Sequence, residues 1–142
     1  MAYKTVYNPV NKDKYIGNVD NIICRSLWER KFCKYLDKND NVIRWSSEEV
    51  AVPYYSPIDN KIHNYYPDFI FEVKQENEIK TIMVEIKPEK QTIPPKNKKG
   101  RTALEAALVY EINTAKWKAA QKFCEQKRWE FKILTEKNLF KD

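Results

Sequence analysis

The sequence predicts a mixed α/β fold, α+β-like in its layout, in which helices flank one mixed β-sheet of about four strands. Two observations predict this class. Apolar residues recur at helical spacing in two segments, one around residue 30 and a longer one from residue 101 onward. In several shorter segments apolar and polar residues alternate, as they do in half-buried strands. The order is helix, strand, strand, strand, helix, strand, and a long helix before the last strand makes that strand parallel to its partner.

The first helix is predicted in the segment CRSLWERKFCKYLDKND, residues 24–40. Ser26 is the expected N-cap, and Glu29 three residues later completes a capping box. The apolar stripe of this helix consists of Trp28, Phe32, Tyr35 and Leu36. Residues 1–24 show no sustained period and predict an irregular N-terminal arm.

Three strands are predicted between the two helices. The segment SSEEVAVPYY (46–55) alternates Val50 and Val52, and it is followed by HNYYPDFIFEV (63–73) and TIMVEI (81–86). The polar segment KQENEIK joins the last two and predicts a turn, so the three strands form an antiparallel meander.

A break in regular structure is predicted over residues 88–101, where three prolines and a glycine accompany five basic residues. A long helix then begins at Arg101 or Thr102 and ends near Glu125. Its expected core positions are Leu104, Leu108, Ile112, Ala115, Ala119 and Phe123. RWEFKILTE (128–136) is the closing strand, and a short terminal helix is expected in EKNLFKD.

Composition predicts one domain spanning residues 1–142, because the length suits a single core and 42% of the residues are apolar. No apolar run is long enough to span a bilayer, and the N-terminus lacks the apolar segment of a signal peptide. We therefore expect a cytoplasmic protein.

Cys24, Cys33 and Cys124 are not in CxxC pairs and predict small buried residues in a reducing compartment.

Charged residues lie on two strands that otherwise predict burial. If the two strands pair in a suitable register, alternation brings Asp68 and Glu85 to one face, with Lys87 two residues further on, and Phe69 and Val84 to the other. Facing carboxylates repel, and Mg²⁺ or Mn²⁺ between them would remove the repulsion. Without metal, at least one of the two acids should have a raised pKa. The alternative is that Asp68 caps a turn and that Glu85 and Lys87 lie on a solvated outer face.

A third acid, Glu29, borders the buried stripe of the first helix. Two roles compete for its carboxylate, since it can complete the capping box with Ser26 or join Asp68 and Glu85.

The strings YYPDF and VEIKP, with SLWERKFCKYLD before them and NTAKW after them, resemble the PD-(D/E)xK nuclease superfamily. The resemblance covers residues 24–136. Within the superfamily, the sequence most resembles the head-completion nucleases of large contractile-tailed phages, which are similar to TnsA-like transposon-end endonucleases. It implies a restriction-endonuclease-like core and Mg²⁺- or Mn²⁺-dependent cleavage of DNA phosphodiesters.

The same resemblance implies roles for individual residues. Asp68 and Glu85 would be metal ligands together with the carbonyl of Ile86, Lys87 would be the catalytic lysine, and Glu29 the upstream acid. NTAKW adds Lys116 with Asn113 beside it. Independently of the resemblance, the apolar spacing of the long helix places Lys116 on its buried side. A lysine there needs a nearby acid or must extend its side chain to solvent.

A basic loop follows the predicted site directly. It carries Lys90, Lys96, Lys98, Lys99 and Arg101 against one acid, Glu89. These cations are candidates for DNA phosphates, and the alternative is a solubilising surface loop. His63 and Tyr65 are further candidates for a phosphate contact. No base-reading module is evident, which predicts weak sequence preference.

The sequence thus favours a Mg²⁺-dependent endonuclease that processes packaged DNA ends in phage head completion, in the host cytoplasm or the virion. Its expected partners are DNA and proteins of the head or portal vertex, with no membrane. The alternatives are a TnsA-like, restriction or resolvase-type nuclease of another pathway, and a non-catalytic head–tail joining or DNA-binding protein on a nuclease fold.

Overall fold

A four-stranded sheet with one helix on each face forms the centre of the protein. The computed structural model describes residues 3–96 and 100–139. In chain order the elements are β1 (Thr5–Val6), β2 (Ile23–Cys24), α1 (Leu27–Lys38), β3 (Val42–Ser47), β4 (Val52–Tyr55), β5 (Ile62–Tyr65), β6 (Phe69–Gln75), β7 (Glu78–Ile86), α2 (Arg101–Lys127), β8 (Glu130–Leu134) and α3 (Glu136–Leu139). The sheet has the order β3-β6-β7-β8, with β7 and β8 parallel and the other pairs antiparallel. The predicted mixed sheet and its parallel last strand are confirmed.

The first strand of the sheet lies elsewhere than predicted. It is β3, which follows shortly after α1, whereas the predicted segment 46–55 supplies the last two residues of β3 and all of β4. β4 pairs with β5 in a separate two-stranded ribbon. Periodicity missed β3 because consecutive residues Trp45, Ser46 and Ser47 are all buried, so the strand shows no alternation.

The predicted strand 63–73 is in fact two strands. It is interrupted at Tyr66–Asp68, because Pro67 has no backbone N–H to give to a ladder and restricts the residue before it. The turn after β6 is shorter than predicted. Only Glu76 and Asn77 lie between β6 and β7, both at positive φ, as in the tight turns that favour hairpins.

The two faces of the sheet pack against different helices. Phe69, Phe71, Val84 and Ile86 share the face that packs on α1, as predicted. The ring centroids of Phe32 on α1 and Phe69 on β6 lie 5.0 Å apart. On the other face, Met83 packs against Ala120 and Cys124 of α2. The sheet is therefore buried on both sides where β6 and β7 pair.

The first half of α2 extends beyond this core. Leu104 is 61% exposed and Leu108 is 37% exposed, so their predicted core positions are wrong. Helical spacing marks one stripe along the whole helix, but the buried residues of α2 begin only at Asn113 and continue with Ala120 and Cys124. The helix ends where Arg128 adopts the left-handed conformation, a common way to close a helix.

The segment predicted as an irregular arm is packed into the core. β1 and β2 pair with each other, and Tyr7, Tyr15 and Ile22 are buried. All three cysteines are free, and their predicted burial is confirmed, while the reducing compartment stays a prediction. The Sγ atoms of Cys24 and Cys33 lie 3.5 Å apart. No helix within the described residues is long and apolar enough to cross a membrane.

Asp37 at the end of α1 attaches the N-terminal segment to the helix. Its side chain is fully buried and accepts hydrogen bonds from the Tyr7 hydroxyl at 2.6 Å and from the backbone N–H groups of Val10 and Asn11 at 2.7 and 2.9 Å. Burial alone would raise the pKa of Asp37, but these bonds and the charge of Lys14 outweigh it and lower the pKa.

We expect Asp37→Asn to destabilise the fold by about 2–4 kcal/mol near neutral pH, because an amide cannot accept all these bonds as an anion does. Since the folded-state pKa is lowered, the stabilisation is present above the unfolded pKa and is lost as pH falls through the folded one. Urea unfolding across this range measures it, with the exposed Asp13→Asn as control. Equal midpoints for the two variants would contradict this role of Asp37.

Candidate active site

The candidate site lies where β6 begins and β7 ends. The register pairs Phe69 with Val84, so Asp68 and Glu85 come next on the two strands. Asp68 Oδ2 accepts a hydrogen bond of 2.7 Å from the backbone N–H of Ile86. Strand pairing therefore brings the two predicted acids together, and the Asp68 carboxylate is attached to the strand that carries Glu85.

Glu85 is held on both of its oxygens. The residue is 6% exposed, Oε1 accepts a 2.6 Å hydrogen bond from the Tyr65 hydroxyl, and Oε2 lies 3.7 Å from Lys87 Nζ. The reading of Glu85 as part of a solvated outer face is therefore wrong, because α2 and the β4–β5 ribbon cover this part of the sheet.

Tyr65 has a different position from the one its sequence context suggested. Tyr65 is 5% exposed, and its hydroxyl donates a hydrogen bond to Glu85. This buried position does not suit the predicted phosphate contact. No spacing in the sequence links Tyr65 to Glu85. The contact arises because the β4–β5 ribbon folds back against α2.

Lys116 of α2 approaches the same carboxylate. Its Nζ lies 5.9 Å from the centre of the Tyr54 ring and 5.7 Å from that of Tyr65, within the range of a cation–π contact. Its charge also lowers the pKa of Glu85. The acid that this half-buried lysine requires is therefore Glu85.

Burial and mutual repulsion dominate the electrostatics of the two acids. Burial raises the pKa of Asp68 well above its ordinary value, and the charges of Glu85 and Glu29 raise it further. Burial also raises the pKa of Glu85, against the opposing effects of the Tyr65 hydrogen bond and the charges of Lys87 and Lys116. The predicted raised pKa is confirmed for both acids. The metal-free pair is therefore costly to ionise completely.

The Glu29 carboxylate is used in the capping of α1 in this structure. Its Oε1 accepts a 3.1 Å hydrogen bond from the backbone N–H of Arg25, and its own N–H donates to Ser26 Oγ at 3.1 Å. Burial is the main cause that raises its pKa, and the charges of Glu48 and Glu85 add to it. Of the two competing roles the cap is observed, while the carboxylate still interacts electrostatically with Asp68 and Glu85.

A residue that the sequence did not indicate lies beside Glu29. Glu48 follows β3 at a positive φ of 53°, pairs with Arg25 at 3.1 Å and donates its backbone N–H to the Asp68 carbonyl at 3.3 Å. Glu48 could not be predicted as a neighbour of the site, because β3, the strand that positions it, was not predicted. Glu48 connects the edge of the sheet to the start of α1.

The donor set suits a hard divalent cation held by few protein ligands. Across the described ranges, no three His, Cys, Asp or Glu side chains lie close enough to hold one ion. Mg²⁺ does not need three, because it commonly binds through one or two carboxylates and completes its shell with water and substrate phosphate. Asp68 and Glu85, both with raised pKa values, fit that pattern. Ligation by these two residues, by the Ile86 carbonyl and by Glu29 stays a prediction.

The other predicted binding residues are distributed around this site. His63 is exposed on the β4–β5 ribbon and pairs with Asp59 at 2.7 Å. Lys90, Lys96 and Asn113 line a groove between the loop and α2. Arg101 begins α2 and pairs with Glu105 at 3.1 Å. Lys98 and Lys99 lie outside the described residues, and the DNA contacts of the whole set stay predictions.

The sequence is similar to known nucleases. A family model described as the TnsA-like endonuclease N terminal matches residues 39–136. The head completion nuclease of Enterobacteria phage T4 is 36% identical over 145 residues, an alignment that covers 98% of this chain and 95% of the phage protein. Asp68, Glu85 and Lys87 all lie within both matches.

We expect Asp68→Asn to stabilise the metal-free protein by about 1–3 kcal/mol near pH 8 and to have little effect near pH 4. The pKa of Asp68 is raised on folding. Its favourable contribution is therefore complete below the unfolded pKa and is lost as pH rises through the folded one. Denaturant unfolding in EDTA measures the effect, with the exposed Glu78→Gln on β7 as control. A lower stability of Asp68→Asn at pH 8 would refute this electrostatic account.

Proposed function

The chain belongs to the TnsA-like endonuclease family, and from this membership we propose that it is a Mg²⁺- or Mn²⁺-dependent DNA endonuclease of phage head completion. The observation that carries the proposal is the pair formed by half-buried Asp68 and buried Glu85, with Lys87 3.7 Å from Glu85 and the charge of Lys116 also acting on Glu85. An acid pair that is costly to ionise serves no structural purpose that an apolar pair would not serve better, whereas a cation would stabilise it.

The acids and lysines divide the work of phosphodiester hydrolysis. Asp68, Glu85 and the Ile86 carbonyl would hold the ion, which when bound supplies Lewis-acid stabilisation of the phosphate and lowers the pKa of a water. Lys87, whose Nζ lies 3.7 Å from Glu85 Oε2, is placed to orient that water or to neutralise charge that develops on the phosphate. Lys116 adds a second positive charge from α2.

Tyr65 acts through Glu85 as a positioning residue. Its buried hydroxyl fixes Oε1 at 2.6 Å and so restricts the carboxylate to one orientation. A group that orients a metal ligand from behind commonly contributes to affinity as well as geometry. Glu29 borders the site from α1, where its charge is felt by Asp68.

DNA is the substrate that the family implies, and the basic residues around the site favour contacts with the phosphate backbone. Lys90 and Lys96 are exposed on the loop that begins at Lys87, directly after β7. Such contacts carry little sequence information and weaken steeply as salt rises.

Two matches support different pathways. The family model names a TnsA-like endonuclease over residues 39–136. The phage head completion nuclease aligns over nearly the full length of both chains, which favours head completion. On that basis we place the protein in the infected cell or the virion, with head or portal-vertex proteins as partners.

Glu85→Gln and Lys87→Ala should each lower the rate of plasmid cleavage in Mg²⁺ by about 10²–10⁴-fold while the protein stays folded. The first removes a negative ligand and the second removes the cation beside it. Nicking and linearisation of supercoiled plasmid measure the rate.

The matched control is Lys132→Ala, an exposed lysine on the adjacent strand β8. Wild-type cleavage by both site variants would show that these residues are not the site. Absence of cleavage of supercoiled, linear and branched DNA by the wild-type protein in Mg²⁺ and Mn²⁺ would instead support a non-catalytic joining role.

Tyr65→Phe should weaken Mn²⁺ binding by about 10-fold, because Glu85 loses the donor that orients it. Isothermal titration of the protein with Mn²⁺ measures this directly, independent of cleavage. Tyr55→Phe on the same ribbon, at a 59% exposed residue, is the control. An unchanged affinity for Tyr65→Phe would restrict Tyr65 to a packing role.

A further inference from the structure

A groove lies between the loop after β7 and the first half of α2. Its volume is about 610 Å³, which falls within the range of sites that hold small organic molecules. One wall is formed by residues 90–96 and the other by the α2 face that includes Val109, Tyr110 and Asn113. We refer to it as the loop–helix groove.

We propose that the loop–helix groove binds unpaired nucleotides at a DNA end. The proposal deepens the nuclease function and rests on it. It assigns a substrate class, DNA ends with a single-stranded overhang, that family membership by itself does not specify.

Each wall of the groove has a residue close in the chain to a residue of the candidate active site. Its loop wall reaches Lys90 only three residues after Lys87. On its helix wall, Asn113 lies one turn before Lys116, which contacts the ring of Tyr65 behind Glu85. A strand whose phosphate lies at Asp68 and Glu85 can therefore continue into the groove.

The lining has the chemistry that bases require. Ile93 is 52% exposed and Val109 is 56% exposed, although both are apolar, and Tyr110 adds an aromatic ring to the helix wall. Apolar side chains left open to solvent in a concave surface indicate a ligand. Aromatic and apolar faces bind bases by stacking, and they do so without regard to sequence.

The charges at the groove complement a phosphate backbone. Lys90 and Lys96 on the loop wall are exposed and supply two positive charges. Glu105, the acid on the helix wall, pairs with Arg101 at 3.1 Å, so its negative charge is offset. An acidic or neutral apolar peptide would use only part of this lining.

Unpaired nucleotides suit the groove better than a duplex does. In a duplex the faces of the bases are stacked on one another, and only sugar, phosphate and base edges remain accessible. The lysines alone would then make contact, while Ile93, Val109 and Tyr110 would stay uncovered. A single strand offers base faces and phosphates together.

The test is binding in EDTA, which prevents metal-dependent cleavage. Fluorescence anisotropy compares a blunt duplex with the same duplex carrying a short 5′ or 3′ overhang. We expect at least one overhang to bind about 5–50-fold more tightly than the blunt end, the gain that stacking of one base provides. Tyr110→Ala should abolish that preference, and Tyr110→Phe should retain it.

A second variant and a control exclude a folding artefact. Val109→Asp changes an exposed position, so the fold should tolerate it, and it introduces a charge that repels phosphate. It should also abolish the preference. Leu104→Ala, an exposed position of α2 that does not line the groove, should bind as wild type does.

Equal affinity for blunt and overhang DNA, or an overhang preference that survives both Tyr110→Ala and Val109→Asp, would overturn the groove assignment. These results are separable from the nuclease proposal. Cleavage in Mg²⁺ without any overhang preference would contradict the groove alone, whereas overhang binding without cleavage would contradict the nuclease alone.

Discussion

The antiparallel register between β6 and β7 is the constraint on which the rest of the structure depends. Pairing Phe69 with Val84 directs one set of side chains towards α1 and the other towards α2. The same register brings Asp68 beside Ile86 and Glu85 at the end of the ladder. A slip of one residue would move the apolar set to the wrong face and separate the acids. Core packing and the candidate site are thus fixed by one set of backbone hydrogen bonds.

The site formed by this register concentrates negative charge where water is scarce. Burial raises the pKa of both Asp68 and Glu85, and the surrounding structure compensates from three directions. The Tyr65 hydroxyl comes from β5, Lys87 from the end of β7, and Lys116 from α2. The compensation is incomplete, and that incompleteness favours a divalent cation. Binding energy for the proposed ion would therefore be stored in the metal-free fold as carboxylate repulsion and desolvation.

Prediction from sequence succeeded where a local pattern of apolar residues indicates which side chains are buried. It failed where burial depends on how distant segments pack together. The alternation around Phe69 and Val84 gave the correct faces, and the pair Asp68 and Glu85 was recognised. β3 was missed because Trp45, Ser46 and Ser47 are buried in succession, so the strand shows no alternating period. The apolar stripe of α2 was extended to Leu104, because spacing does not reveal where a helix leaves its sheet. The contact of Tyr65 with Glu85 was not predicted, since nothing local in the sequence shows that its ribbon folds onto α2.

The sequence by itself determined the two main helices, the faces of the central strands and the acids with their lysine, because each depends on residues close in the chain. Tertiary structure decided what these acids contact. Asp68 meets the Ile86 N–H, Glu85 meets the Tyr65 hydroxyl, and Glu29 caps α1 beside Glu48. It also decided that a groove with exposed apolar walls lies next to the site. The physical reason is that desolvation and charge coupling depend on distance in space, and sequence spacing specifies such distances only within a single helix, strand or turn.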